Sequence, residues 1–412
     1  MDGDQMTKPA AGMSADALAQ IAPSLQAVVD AGDLSGFVTL IWRKGEVVQL
    51  NTLGHRDVAG GKPMTRDTMF RIASMTKPIT SVAALMLMEE GKLKLDDPIT
   101  KWAPEFANMK VLKSPTGPLD EVYDSPRDIT IDDLMTHRSG LAYGFTSIGP
   151  IAHAYEAALG SPLVNPLEPD EWMARLAELP LSFAPGDRFH YSHATDLLGF
   201  LIGRIEGKPF YDVLQERIFG PLGMVDTGFF APPEKAHRLA RLYRSSTTKD
   251  GLVAVDRPPM LGDNLSPPDV PSGGGGLVST LDDYARFAQM LLNKGELGGV
   301  RVISAEAVAL MTSNHLSDAL INGGFGVGAM AIRPGFGYGF NGAVFTDPEK
   351  AGLPVGRGTY EWDGAAGTWF WVDWENDLIF VGMIQRFEVS GKMTNAQQLT
   401  QKLLAPAIVK DA

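Results

Sequence analysis

The sequence predicts an α/β chain of the α+β kind, an antiparallel sheet assembled from both chain ends with a mainly helical stretch inserted between them. Three observations carry that expectation. The chain opens with an amphipathic helical pattern and two β-rich runs. Its last part returns to short β runs and closes in another helical pattern. From Gly91 to about Val270, helical pieces recur between proline-rich connectors, with no set of alternating strands. Residues 14–90 and 271–410 are thus assigned to an α/β domain and 91–270 to a helical insertion, with a cleft between them.

In chain order, Ser14–Ala31 places Leu18, Ile21, Leu25 and Val28 or Val29 at helical spacing. Gly36–Trp42 and Glu46–Leu53, joined by Arg43-Lys44-Gly45, read as a hairpin whose turn uses the glycine. A polar loop, Gly54–Thr68, leads to a run, Ser81–Gly91, of good helix formers closed by glycine. Pro78 fits only the first turn of that helix, so Ser74 lies at or just before its N-terminus. Lys77 follows one turn on, facing the same way.

The insertion reads as helices over Ile131–Met135, Ile151–Ala158, Pro169–Leu179, Ala194–Glu206 and Phe210–Ile218. Ser114–Pro126 and Ser161–Pro169 are its proline-rich connectors. In Pro271–Thr280, four consecutive glycines admit close approach of another segment, while a phosphate cradle lacks the Gly-Lys-Ser/Thr that would follow. Thr280 is an N-cap for Leu281–Asn293, with Asp282 and Asp283 in the first turn. Ser304–Thr312 is a further helix. Phe325–Ile332, Arg357–Trp362, Gly367–Asp373 and Leu378–Gln385 read as strands, the last three as a meander, before a closing helix in Asn395–Lys410.

Composition excludes several functions. With 36 basic and 49 acidic residues the net charge is −13, which argues against nucleic acid or an anionic membrane as the main partner. No cysteine is present, which removes disulfides, thiolate catalysis and cysteine-ligated metals. The first residues carry no apolar run behind a basic start, and no stretch is long enough to span a bilayer, so a cytoplasmic location is expected. Oligomeric state is left open.

Chemistry concentrates at a few places. A serine three residues before a lysine can be a nucleophile beside its base, provided that burial or positive charge lowers the lysine pKa. An N-cap serine followed by a surface lysine would give the same tetrapeptide. In His190-Tyr191-Ser192-His193, on a corner before a helix, Tyr191 can reach a cleft as a general acid or base, or satisfy a local hydrogen bond. His190 and His193 lack accompanying zinc-spaced ligands, so no metal is expected. Thr359–Gly367 can offer an edge strand whose backbone N–H meets an oxyanion, with Trp362 as a pocket wall or a core residue. His137-Arg138-Ser139-Gly140-Leu141 reads as a structural cap and turn. No Gly-x-Ser-x-Gly elbow is found.

Four segments in order resemble one family. FRIASMTKPIT surrounds Ser74 and Lys77, and LMTHRSGL spans Leu134–Leu141. FAPGDRFHYSHATDLLGFLIGRIEGKPF is followed by IFGPLGMVDTGF at Ile218–Phe229, and SGGGGLVSTLDDYARFAQMLLNKG occupies Ser272–Gly295. From about Leu34 to Leu404 the chain resembles the serine hydrolases of the class C β-lactamase and penicillin-binding-protein type, and among them the family VIII carboxylesterases. The resemblance implies a β-lactamase/transpeptidase-like fold, with an antiparallel sheet flanked by helices beside a mainly helical domain and the site between. It implies Ser74 as the nucleophile, Lys77 in its activation and Tyr191 as proton shuttle. It places the oxyanion between the N–H groups of Ser74 and Ala365, and it implies no cofactor.

Two departures tilt the expectation toward esters. His193 stands where the family's Tyr-x-Asn element carries its amide. Trp362, Asp363 and Gly364 stand where β-lactamases carry Lys-Thr-Gly, so the cation that attracts a substrate carboxylate is missing. A small-molecule carboxylic ester of short to medium chain is the expected substrate. Hydrolysis of β-lactams, D-amino-acid peptides or amide oligomers remains an alternative, as does a catalytically silent scaffold.

Overall fold

The computed structural model describes residues 6–7, 11–160, 167–246, 251–255, 261–322, 326–327, 330–331, 334–387 and 395–409. Its centre is a nine-stranded antiparallel sheet drawn from both chain ends. Eight strands run in the spatial order Met6–Thr7, Glu46–Asp57, Gly36–Arg43, Leu378–Met383, Trp369–Asp373, Tyr360–Asp363, Ala343–Phe345 and Phe336–Tyr338. The ninth, Lys62–Pro63, pairs with Glu46–Asp57 off this path. The seam between the two ends is the pairing of Gly36–Arg43 with Leu378–Met383, in register from Val38 opposite Met383 to Arg43 opposite Leu378. In the hairpin turn Lys44 and Gly45 both have positive φ, 47° and 91°, the sense of turn that follows the twist of the paired strands.

Both faces of this sheet are covered, which is why its central strands are continuously apolar. Phe37, Ile41, Trp369, Trp371, Leu378 and Phe380 pack on one face against Leu18, Ile21, Leu25 and Leu404 of the terminal helices. Their alternates Val38, Leu40, Phe370, Val372, Ile379 and Val381 pack on the other face, in a cluster that continues into the helical part of the chain. The Leu281–Leu292 helix lies against that second face, capped by Thr280 as expected.

Local chemistry accounts for the differences from the expected elements. The first helix is two pieces, Ala15–Ala19 and Ile21–Asp30, because Pro23 cannot donate to the Ala19 carbonyl. Phe210–Leu214 widens into a π turn, Gln215–Phe219, before Pro221, which cannot continue the α ladder. The helical stretch also holds two short hairpins, Lys110–Leu112 with Val122–Asp124 and Leu242–Ser245 with Leu252–Val255. Phe336–Tyr338 and Ala343–Phe345 extend the sheet where no strand was expected. Of the strand expected over Phe325–Ile332, residues 325, 328–329 and 332 lie outside the described residues, and the rest pair as Gly326–Val327 with Met330–Ala331. Residues 161–166 of one expected connector and Lys410 of the closing helix also lie outside them; that helix covers Ala396–Leu404. Among the described residues no helix is long and apolar enough to cross a membrane.

One glycine at the centre of the sheet is there for space. A Cβ on Gly382 would fall 2.2 Å from the indole of Trp369, its cross-strand neighbour, which lies directly over it. Gly382→Ala forces that ring out of a packed face, and a loss of about 1–3 kcal/mol is expected, read as a lowered thermal midpoint of the purified protein. An unchanged midpoint would mean that the indole has room to move.

Candidate active site

Ser74 sits in a single 3-10 turn, Ala73–Met75, that runs directly into the Thr76–Glu89 helix. The turn is held from several sides. Ile72 donates its N–H to Leu277 (3.0 Å), Thr368 donates its hydroxyl to the Ile72 carbonyl (3.2 Å), and Tyr284 donates to the Met75 carbonyl (2.8 Å). The Gln385 amide brackets Arg71, accepting from its N–H and donating to its carbonyl. This over-determination keeps Ala73 at φ 44°, in the left-handed region a residue with a Cβ seldom adopts, next to Ser74.

Lys77, one turn on, is 1% exposed. Its Nζ donates to the Gly274 carbonyl at 2.5 Å, and lies 3.4 Å from both Ser74 Oγ and the Tyr143 hydroxyl. Burial lowers its pKa from 10.5 to about 7, against the opposing pull of Asp196. A large fraction of the lysine is therefore neutral at physiological pH, which is what a base for Ser74 requires.

Tyr191 donates to Ser74 Oγ at 2.8 Å, and its ring lies 4.5 Å from Lys77 Nζ. Burial pushes its pKa well up, so the phenol stays protonated. Its corner is fixed by the segment read from sequence as a cap and turn. His190 N–H donates to the His137 carbonyl, Ser192 N–H to His137 Nδ1, and the His137 ring packs 4.6 Å from the Tyr191 ring. Burial pushes His137 well below its usual pKa, so a neutral ring supports the tyrosine. The stretch does form a turn, with His137 and Gly140 at positive φ, and it also acts as a buttress.

The glycine run makes the close approach that its composition allows. A Cβ on Gly273 would come within 2.7 Å of the Thr195 carbonyl, and one on Gly274 within 2.8 Å of both Asp196 Oδ1 and the Tyr143 hydroxyl. Glycine at 274 thus lets the loop lay its carbonyl on Lys77.

Opposite, the strand Tyr360–Asp363 reaches the Ser74 turn, and a Cβ on Gly364 would strike the Ile72 carbonyl at 2.3 Å. Among the described residues the Ala365 N–H makes no backbone hydrogen bond, and the Ser74 N–H belongs to a first helical turn, which leaves such groups without intrahelical partners. The buried Trp362 ring lies tilted at 5.8 Å from the Tyr191 ring and edge-on at 5.4 Å from Tyr338, and its indole N–H approaches Tyr191 without completing a hydrogen bond. Asp363 is exposed at the strand end. Partial desolvation at that strand end pushes its pKa up to about 6.

His193 is placed differently from the pocket-lining position expected of it. It is 2% exposed, with Nδ1 2.9 Å from Asp196 Oδ2 and its ring among Tyr143, Tyr155 and Trp172. His190 turns instead toward the hydroxyls of Thr146 and Ser147. With His193 in place of the family's amide, the partners of Lys77 besides Ser74 are Tyr143 and the Gly274 carbonyl. Tyr143 and Asp196 escaped the sequence reading. The available signal was a lone acid in the otherwise apolar start of the Ala194–Glu206 helix; nothing in sequence marks Tyr143.

Comparison with known proteins agrees with this architecture. A family model described as Beta-lactamase matches residues 21–403. An uncharacterized protein of Mycobacterium tuberculosis is 47% identical over 365 residues, covering 88% of each chain. Esterase EstB of Burkholderia gladioli is 35% identical over 373 residues, covering 85% of this chain and 87% of that protein. The solved structure of EstCE1, a hydrolase with promiscuous acyltransferase activity, superimposes with a TM-score of 0.79 at 26% identity, covering 95% of this chain and 99% of that one. With its large antiparallel sheet flanked by helices and its match along nearly the whole length, the chain belongs to the beta-lactamase family and has the β-lactamase/transpeptidase-like fold.

Proposed function

We propose that the protein is a serine carboxylesterase of the family VIII type that cleaves short- to medium-chain esters through an acyl-enzyme on Ser74. The observation that carries the reading is Ser74 Oγ lying between the Tyr191 hydroxyl at 2.8 Å and a buried, partly neutral lysine at 3.4 Å. A scaffold has no use for such a lysine. Similarity to an esterase over most of both chains supports the choice of ester over amide.

In the first step Ser74 Oγ attacks the ester carbonyl carbon while Lys77 takes its proton. The carbonyl π electrons move to oxygen, and the N–H groups of Ser74 and Ala365 receive the oxyanion. Collapse breaks the bond to the alcohol oxygen, which leaves with the proton returned from Lys77 through the Tyr191 hydroxyl. Water then attacks the acyl-enzyme, gives its proton to the same pair, and frees the acid as Ser74 recovers its own. Tyr191 passes protons as a neutral phenol, because a resting phenolate is disfavoured in its buried setting.

Substrate choice follows from the cleft charge. Trp362 offers an apolar wall, and Asp363 is ionised at neutral pH and repels a substrate carboxylate. With p-nitrophenyl butyrate and a chromogenic cephalosporin compared side by side, ester kcat/KM should exceed lactam kcat/KM by about 100-fold or more, the scale of a lost charge-assisted contact. Ser74→Ala should abolish both turnover and fluorophosphonate labelling. Equal rates on the two substrates would withdraw the esterase assignment in favour of a lactamase. Asp363→Asn should narrow the gap by about threefold or more, since it removes a like charge at cleft distance; an unaltered ratio would take Asp363 out of substrate selection.

The pH dependence has a definite sign. Lys77 must be neutral to accept the proton, and its pKa is lowered to about 7, so kcat/KM for a neutral ester should rise with pH through about 7 and then level off. A limb near 10, the range of an unperturbed lysine, would show that burial does not bring the Lys77 pKa near neutrality and would remove the partly neutral lysine on which the reading rests.

A further inference from the structure

We propose that Asp196 is the positioning residue of this site: it holds two of the three groups that bond the Lys77 ammonium and supplies the buried charge opposing it. This rests on the reading of Ser74 as the nucleophile and Lys77 as its base. The side chain is enclosed, and each oxygen is used twice. Oδ1 accepts from the Gly274 N–H at 3.0 Å and from the Ser272 hydroxyl; Oδ2 accepts from the Tyr143 hydroxyl at 3.1 Å and from His193 Nδ1 at 2.9 Å. Two of these four partners, Gly274 and Tyr143, are the groups that meet Lys77 Nζ besides Ser74. One carboxylate at the start of the Ala194–Glu206 helix thus ties the glycine loop and the Tyr143 loop to each other and fixes where the ammonium sits.

The charge matters as well as the geometry. Titratable groups packed round Lys77 are Tyr143, Tyr191, His137 and Asp196, with His193 behind Asp196 and Asp363 acting on Tyr191 from the opposite strand. Tyr143 and Tyr191 are held protonated and His137 neutral by burial, which leaves Asp196 as the opposing charge on the lysine. Its own pKa stays below the ordinary carboxylate value: burial works against ionisation, while His193, Lys77 and Ser272 outweigh it. A fixed anion keeps Lys77 from losing its proton entirely, so that it can return one to the leaving alcohol.

The test is the pH profile of kcat/KM for p-nitrophenyl butyrate and of the rate at which a fluorophosphonate labels Ser74, for wild type, Asp196→Asn and Tyr143→Phe. With the anion gone, the Lys77 pKa falls, so the rising limb of Asp196→Asn should move to lower pH by about one unit while plateau kcat drops about tenfold and KM moves less. Tyr143→Phe removes one hold and leaves the carboxylate, so its limb should move the same way by a smaller amount. A limb that stays in place in Asp196→Asn, with only a lowered thermal midpoint or a uniformly scaled rate, would reduce Asp196 to a structural residue and overturn the proposal. Should Asp196→Asn fail to fold, Tyr143→Phe decides, and an unmoved limb with unchanged kcat overturns it. Wild-type protein that neither labels nor turns over ester would sink the serine-hydrolase reading, and this inference with it.

Discussion

The constraint on which this site depends is the burial of one lysine. Lowering the Lys77 pKa from 10.5 to about 7 corresponds to about 5 kcal/mol of lost preference for the charged form. That is comparable to the net stability of many whole domains, and a fold tolerates such a group only where its surroundings are rigid. The surroundings are neutral hydroxyls, one backbone carbonyl and a carboxylate one bond removed. They stabilise the ammonium enough to keep it inside and too little to keep it permanently charged.

Rigidity of that kind needs segments far apart in the chain to be locked at their backbones. The Ser74 turn is bonded to the strand after the glycine run, to Thr368 and to Tyr284, and so to both the sheet and the helix crossing it. The Tyr191 corner hangs on residues 137–142. Thr195 and Ser81 meet through the Asn341 amide, joining the two helices that carry the site to the loop between the outermost strands. None of these bonds touches the reacting atoms, yet each limits how far Ser74, Lys77 and Tyr191 can drift apart, and small displacements at such distances cost rate steeply.

What was legible in the sequence follows from the range of the interactions. Ser74 and Lys77 are three residues apart, so one helical turn fixes their relation and the pattern shows on its face. The central strands were visible because both of their faces are buried, and Thr280 because a cap bonds its own helix. Tyr143 and Asp196 are separated by 53 positions, one on a loop and the other in the first turn of a helix; their residue types are ordinary, and their meaning exists only in three dimensions. His193 was misplaced for a related reason. A position after the tyrosine can be inferred from resemblance, but the direction of its ring was decided by the aromatic pocket of Tyr155 and Trp172, which no local pattern reports. Phe336–Tyr338 and Ala343–Phe345 escaped because three-residue strands among glycines carry too little periodicity to register.

The same reasoning says where substrate preference is encoded. The groups proposed to activate Ser74 lie on the helix and loop side of the cleft and are buried and mutually satisfied. The groups proposed to set this cleft against substrate carboxylates lie on the facing strand, in Trp362 and the exposed Asp363. That strand ends at the cleft, so a side chain there can be exchanged without disturbing the hydrogen bonds that hold Lys77. Asp196 and Tyr143 have no such freedom: each touches at least two other members of the site, and altering either changes the base itself. On the proposed esterase reading, a fold divided in this way can change which ester it accepts far more easily than how it cleaves it.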